Sequence, residues 1–180
     1  MGYERSEALK LDEHGREVGA DACRDGEGEA ITADRAAIEA RLPHREPFLF
    51  LDEIVSITDR SVLARRVVRA EEPQFRGHYP GRPLMPGVLL CETVLQAGAY
   101  LMACKTNLDA NMQGAPVVTR MNRVRFKRMV KPGDQLEISA EHVQSKLGAH
   151  YLQGRIHCEG KLVCDLEFAV MLVADVGDGA

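Results

Sequence analysis

The sequence predicts an α+β fold in which an antiparallel sheet wraps around one long central helix. Two observations lead to this prediction. Residues 84–104 form a single long apolar segment, and strand-like stretches separated by short turns lie on both sides of it. Because short turns join antiparallel neighbours and the apolar face of a sheet must be covered, strands packed around one helix satisfy this order most simply.

The elements before the long helix are a short helix and a hairpin. Residues 33–42 carry the pattern of a short helix, which either Thr32 or Asp34 can cap. Residues 48–57 and 61–70 then read as two strands, joined by a Thr-Asp-Arg turn of hairpin length.

A loop rich in glycine and proline, residues 71–83, leads into the long helix, which we expect to begin near Pro86. A membrane span is a second interpretation of residues 84–104, but Glu92 in their middle would be costly inside a bilayer. We therefore expect a buried helix. The strand candidates after it are residues 116–126, 135–144, 150–159 and 161–173.

The composition is that of a globular chain with an unusual first segment. The 180 residues are 45% hydrophobic with a net charge of −4, so neither nucleic acid nor an anionic membrane is indicated. Residues 1–30 hold nine acidic side chains and five glycines. They predict an acidic extension over 1–31, before a domain at 32–174 and a tail at 175–180. Five cysteines without a CxxC pair, and no apolar signal segment, lead us to expect a cytoplasmic protein without structural zinc.

Glu92 is a charged residue in the most apolar segment of the chain. It precedes Gln96 by four residues, so on a helix the two side chains share a face and can hydrogen-bond. Aliphatic surroundings disfavour the ionised carboxylate, and a carboxyl group that stays protonated near neutral pH is a general acid. A purely structural glutamate, bonded to Gln96 or to the backbone, fits these residues equally well.

His78 lies in the loop before the helix, among glycines and prolines that restrict the backbone. A fixed histidine suits a general base, although a loop histidine is more often an ordinary surface residue. At the helix start, Pro86-Gly87 offers free backbone N–H groups and the positive end of the helix dipole, which can polarise a carbonyl oxygen. Gly87 also allows a ligand to approach closely. This set suits proton abstraction beside a carbonyl, with protonation of a leaving group.

Between residues 35 and 173 the chain resembles the 3-hydroxyacyl-acyl-carrier-protein dehydratases of bacterial fatty acid synthesis. The resemblance rests on the segments LPHREPFLFLDEI, GHYPGRPLMPGVLLCETVLQAG, VRFKRMVKPGD and GKLVCDLEF. It implies the hot-dog fold and the dehydration of (3R)-3-hydroxyacyl thioesters to trans-2-enoyl thioesters without a cofactor. His78 would be the base at the α-carbon and Glu92 the acid for the β-hydroxyl, with Gln96 orienting Glu92 and the Gly87 N–H holding the thioester carbonyl.

The resemblance also implies partners. The substrate would be carried on the phosphopantetheine of acyl carrier protein. The protein would be a homodimer, open to further assembly into a hexamer as a trimer of dimers, with the histidine and the glutamate of each site from different subunits. Candidate residues for the acyl tunnel are Pro86, Val88, Val117 and Val118. Because the family usually has an aromatic pair where Val117-Val118 stand here, the gating of the tunnel and the preferred chain length stay open.

Residues 120–131 are strongly basic and contain no acidic side chain. On a strand, alternation would place three of the basic side chains on one face. A solvated face and a docking site for an acidic carrier protein both fit this segment, whereas nucleic acid is a weaker candidate because Phe126 is its only aromatic residue. The basic residues are Arg120, Arg123, Arg125, Lys127, Arg128 and Lys131.

Alternative functions remain compatible with the sequence. They are a dehydratase that also isomerises, in which aspartate usually replaces the glutamate, a hot-dog acyl thioesterase, and a non-catalytic subunit that binds acyl chains or their carrier. Histidines outside the loop lack ligand spacing, so we expect no metal site and a structural role for His44.

Overall fold

The computed structural model describes residues 32–107 and 115–173. Its helices are α1 (Arg35–Arg41) and α2 (Gly87–Thr106), and a short 3-10 helix spans Pro73–Arg76. Its strands are β1 (Glu53–Ile57), β2 (Ser61–Val67), β3 (Ala115–Phe126), β4 (Gln135–Lys146), β5 (Ala149–Cys158) and β6 (Lys161–Val173). The predicted extension at 1–31 and the tail at 175–180 lie outside the described residues, so the domain division stays a prediction.

The six strands form one antiparallel sheet in the order β1-β2-β4-β5-β6-β3. Strands that follow one another in the chain are mostly neighbours in the sheet. The exception is β3, which follows α2 in the chain and pairs with the last strand, β6. This confirms the predicted α+β class and the hot-dog arrangement. In the described part of the chain, the outer edge of β3 has no pairing strand.

Helix α2 packs against the sheet and supplies much of the core. Val94, Ala97 and Met102 are completely buried. By length and composition α2 could cross a membrane, but 72% of its apolar window is buried inside the fold, as expected for a core helix. A glycine allows α2 and β5 to approach each other closely. A Cβ atom at Gly154 on β5 would lie only 2.2 Å from Cγ1 of Val94.

Helix α1 begins where the sequence predicts a cap. The carboxylate of Asp34 accepts a hydrogen bond from the Ala37 N–H at 2.9 Å. Asp34, and not Thr32, is therefore the cap. The helix ends at Arg41 and buries Ile38 completely.

The predicted strand at residues 48–57 is shorter than expected, because β1 begins only at Glu53. Leu49, Phe50 and Leu51 are apolar and buried, which explains the prediction. However, the backbone N–H of Phe50 donates to the side chain of Gln96 on α2 and not to a neighbouring strand. The segment before β1 is thus an irregular connection that crosses α2 beside Glu92.

Candidate active site

The loop that carries His78 is fixed by backbone hydrogen bonds at both ends. The His78 N–H donates to the carbonyl of Gln74 at 2.9 Å, and the His78 carbonyl accepts from the Leu84 N–H at 3.0 Å. At the end of the loop, the Met85 N–H donates to the carbonyl of Val130 at 2.8 Å. The position of His78 is therefore set by the fold, in keeping with its glycine- and proline-rich surroundings.

The imidazole of His78 is held in one tautomer. Its Nδ1 lies 2.7 Å from the carbonyl oxygen of Leu84. A carbonyl oxygen can only accept a hydrogen bond, so Nδ1 carries the proton and the Nε2 atom of the neutral ring keeps a free lone pair. The ring also stacks on Tyr79, with 4.1 Å between the centroids. His78 is half-buried as a residue, and its Nε2 atom has the properties of a proton acceptor.

A buried ion pair supports the same loop. The guanidinium of Arg66, which is only 3% exposed, donates to Oε1 of Glu72 at 2.6 Å. Glu72 also accepts from the backbone N–H of Arg69 at 2.7 Å and from the side-chain amide of Gln74 at 2.5 Å. Since Gln74 receives the His78 N–H, the pair anchors the backbone that positions the candidate base.

Glu92 is oriented by Gln96, one turn further along α2. The Gln96 Nε2 donates to Oε1 of Glu92 at 2.9 Å and to the carbonyl of Phe48 at 2.8 Å, and its Oε1 accepts from the Phe50 N–H at 2.7 Å. The amide is completely buried, and its backbone partners fix which end is nitrogen. The predicted i, i+4 hydrogen bond is therefore present, and it belongs to a rigid set.

His44 is the residue of this site that sequence reasoning missed. Its Nε2 lies 3.5 Å from Oε1 of Glu92, and its ring stacks on Phe48 with 6.4 Å between the centroids. Burial lowers the pKa of His44, Glu92 opposes that shift and Arg45 adds to it. The carboxylate partner comes from α2, 48 residues away in sequence, so no local pattern could reveal the pair.

The first turn of α2 is the third part of the site. At the N-terminal end of a helix the first N–H groups have no intrahelical acceptor, and Gly87 is the first residue of α2, after Pro86. A Cβ atom at Gly87 would lie 2.9 Å from Cζ of Phe126, at the end of β3. The sequence prediction assigned the small size of Gly87 to the approach of a ligand, whereas here the space faces an aromatic ring.

Base and acid are not in contact within one chain. The ring nitrogen contact of His78 is to Leu84, and the carboxylate contacts of Glu92 are to His44 and Gln96. The candidate tunnel valines are also open to solvent in the single chain. Their exposed fractions are 73% for Val88, 40% for Val117 and 37% for Val118, and Pro86 is half-buried. These candidate tunnel residues are therefore not enclosed by the described part of one chain.

The basic segment is partly neutralised by β6. Arg123 pairs with Glu167 at 3.0 Å, and Arg125 pairs with Asp165 and lowers the pKa of that carboxyl group by hydrogen bonding. The strand bulges between Asn122 and Arg125. The remaining basic side chains of the segment form no ion pair with any described carboxylate; they are Arg120, Lys127, Arg128 and Lys131.

A further cluster of polar side chains contains two histidines and a serine. The hydroxyl of Ser145 lies 2.9 Å from Nε2 of His142 and 2.8 Å from Nδ1 of His150, at the β4–β5 hairpin. Within residues 32–107 and 115–173, no group of three or more histidine, cysteine, aspartate or glutamate side chains is arranged to hold a metal ion.

Comparison with known sequences gives consistent matches. The family model of the FabA-like domain matches residues 42–167. The 3-hydroxyacyl-[acyl-carrier-protein] dehydratase FabZ of Shewanella woodyi is 38% identical over 137 residues, which cover 76% of this chain and 90% of the relative. FabZ of Nitratiruptor sp. is 34% identical over 144 residues, which cover 78% and 97%.

Solved structures share the fold at low sequence identity. The dehydratase heterocomplex ApeI:P from Xenorhabdus doucetiae aligns with a TM-score of 0.63 at 17% identity, over 76% of this chain and 90% of the matched chain. The smu.793 protein of Streptococcus mutans, bound to acetyl CoA, aligns with a TM-score of 0.56 at 14% identity, over 73% and 95%. These likenesses show the fold.

Proposed function

This chain belongs to the FabA-like family, and we propose that it is a cytoplasmic 3-hydroxyacyl-[acyl-carrier-protein] dehydratase in fatty acid or related acyl-chain biosynthesis. It converts a (3R)-3-hydroxyacyl thioester into a trans-2-enoyl thioester and water. Relatives at 34–38% identity that carry this name support the proposal. The observation that carries it is the fixed tautomer of His78, which leaves Nε2 free to accept a proton.

The reaction needs only an acid and a base. The Nε2 atom of His78 takes a proton from the α-carbon, the electron pair forms the α,β double bond, and the β-hydroxyl leaves as water after Glu92 protonates it. The N–H of Gly87 holds the thioester oxygen, where negative charge develops. Each turnover leaves one proton more on His78 and one fewer on Glu92, so a proton must return to Glu92 before the next. No cofactor enters this scheme.

We propose a homodimer in which each site takes His78 from one subunit and Glu92 from the other. Two observations support this arrangement: the two residues make no contact within one chain, and the outer edge of β3, unpaired among residues 32–107 and 115–173, carries apolar side chains. An exposed apolar strand edge is normally covered by a partner. The exposed side chains of β3 include Val117, Val118, Met121, Val124 and Phe126.

The second copy would also close the acyl tunnel over Pro86, Val88, Val117 and Val118. With two valines in the place of the usual aromatic pair, this wall is less bulky. Assembly of dimers into a hexamer stays a prediction. The preferred acyl chain length can be measured directly by comparing kcat/KM across carrier-linked substrates with acyl groups of different length.

The acyl carrier protein would dock on the basic segment around the end of β3. The four unpaired basic side chains there favour an acidic partner, whereas Arg123 and Arg125 are already neutralised. Salt screens such contacts. We therefore expect the KM for a carrier-linked substrate to rise with ionic strength. The KM for the same acyl group on a short thiol should stay constant. Equal effects of salt on the two KM values would contradict docking at this segment.

The decisive experiment compares two active-site variants with two matched controls. His78→Ala and Glu92→Gln should each abolish hydration of a crotonyl thioester and dehydration of a 3-hydroxybutyryl thioester, with the fold intact by circular dichroism. His157→Ala and Glu141→Gln change half-buried side chains on the sheet and should keep wild-type turnover. Wild-type activity in either active-site variant would refute the assignment. Release of free thiol by the wild type would indicate a thioesterase instead.

A further inference from the structure

We propose that His44 is a positioning residue for Glu92: its Nε2–H stabilises the carboxylate that Glu92 becomes when it gives its proton to the departing hydroxyl. This inference rests on the proposed function, because it deepens the role of the same acid. Three observations support it. His44 contacts Glu92, the Nδ1 atom of the same ring has no hydrogen-bond partner, and the side-chain amide of Gln96 is already fully hydrogen-bonded.

The two ring nitrogens of His44 have different surroundings. Nε2 lies 3.5 Å from Oε1 of Glu92, whereas Nδ1 is buried without any hydrogen-bond partner. A proton on Nδ1 would be a buried donor without an acceptor, which is costly. The favoured neutral tautomer therefore carries its proton on Nε2, the nitrogen that lies beside Glu92. Burial lowers the pKa of His44, which keeps the ring in this neutral form.

Gln96 cannot take over this task. Its Nε2 already donates to Phe48 and to Glu92, and its Oε1 accepts from Phe50. Both donors, from Gln96 and from His44, reach the same oxygen, Oε1 of Glu92. Oε2 is then the oxygen that carries the acidic proton, and it is the one free to face the substrate.

The distance fits a contact that tightens during the reaction. At 3.5 Å the His44–Glu92 contact is longer than an ordinary hydrogen bond. As Glu92 loses its proton it becomes a stronger acceptor, and a charge-assisted hydrogen bond is shorter and stronger than a neutral one. An interaction that strengthens only as the charge develops lowers the barrier and leaves substrate binding unchanged.

Two substitutions separate the N–H group from the ring. His44→Phe keeps a flat ring that can stack on Phe48 but removes the donor, and His44→Gln restores an N–H without the ring. We expect His44→Phe to lower kcat by about tenfold to a hundredfold with KM unchanged. We expect His44→Gln to recover most of that loss. The opposite order, or an equal loss in both variants, would show that packing is what matters and would overturn the proposal.

A measurement without turnover keeps the proposal separate from the proposed function. In ¹⁵N spectra of histidine-labelled wild-type protein, the His44 ring should be protonated at Nε2, and Glu92→Gln should shift that N–H signal. A ring protonated at Nδ1 would overturn the role of His44 even in an active enzyme. If the wild type fails to dehydrate any 3-hydroxyacyl thioester, the proposed function falls, while an Nε2–H signal sensitive to residue 92 would still support the pairing.

Discussion

At the scale of single residues, the candidate base depends on a neutral partner. The carbonyl of Leu84 fixes the ring of His78 from the same loop, through a side-chain contact of 2.7 Å and a backbone hydrogen bond of 3.0 Å. A carbonyl orients an imidazole without placing a negative charge beside it. In the proposed reaction the loop would therefore provide orientation only, and the charges would come from the substrate and from Glu92.

The buried ring of His44 makes stability depend on pH. Its pKa lies below the ordinary value of 6.5, mainly because of burial. As the pH falls below 6.5, this histidine becomes protonated in the unfolded chain but stays neutral in the folded chain. It therefore lowers the free energy of unfolding as the pH falls from about 7 to about 5. His44→Phe should lose less stability over this range than the wild type, as measured by urea unfolding at both pH values. An identical loss would contradict the assignment of a neutral His44.

These residues show what a sequence can and cannot reveal about the site. The Glu92–Gln96 bond follows from helical spacing, and the rigidity around His78 follows from its glycines and prolines. His44 faces Glu92 only because the irregular segment before β1 crosses α2, with its backbone at Phe48 and Phe50 bonded to Gln96. Contacts of that kind depend on tertiary packing, for which the sequence holds no local periodicity.

At the scale of elements, the close packing of α2 on β5 determines how well the helix is placed. A Cβ atom at Gly154 would lie 2.2 Å from Val94 and 3.0 Å from the carbonyl of Ser139. Val94 is completely buried, so neither neighbour can move aside freely. Because Gly154 has no side chain, the helix that carries Glu92 can pack directly against β5.

We expect Gly154→Ala to lower the free energy of unfolding by about 1–3 kcal/mol, since overpacking displaces Val94 or the strand. Gly77→Ala is the matched control. Gly77 has an ordinary φ of −115°, and no atom lies within 4 Å of the position that an added methyl group would take, so its free energy of unfolding should change by less than about 0.5 kcal/mol. Denaturant unfolding measures both. Equal stability of the two variants would show that β5 and α2 are packed more loosely than the contact at Gly154 implies.

Strand prediction succeeded where the sheet alone determines the backbone. The last strand was expected at residues 161–173 and is observed as Lys161–Val173, flanked by β5 and β3. It failed just before β1, where Leu49, Phe50 and Leu51 are equally apolar but the Phe50 N–H bonds to the side chain of Gln96 on α2 and not to a strand. Apolar patterning reports burial, and burial is shared by strands and by irregular segments that cross a core helix.

At the scale of the whole molecule, the proposed dimer would give each chain half of each of two sites. The loop of His78 and the helix face of Glu92 are each fixed by hydrogen bonds, yet they share no contact. Among the described strands, none pairs with the outer edge of β3, which carries exposed apolar side chains. In the proposed twofold dimer, the histidine of each subunit would meet the glutamate of the other, and activity would require assembly.

Mixing two inactive variants tests this division. In a heterodimer of His78→Ala and Glu92→Gln, one site combines both substitutions and the other combines the intact His78 of one subunit with the intact Glu92 of its partner. Random re-assortment makes half of the dimers mixed, each with one working site of two, so activity should return to about one quarter of the wild-type value. The measurement is turnover of a 3-hydroxyacyl thioester after dissociating and reassociating the mixture, with each variant treated alone as the control. A mixture that stays inactive although mixed dimers form would place His78 and Glu92 of one chain in the same site.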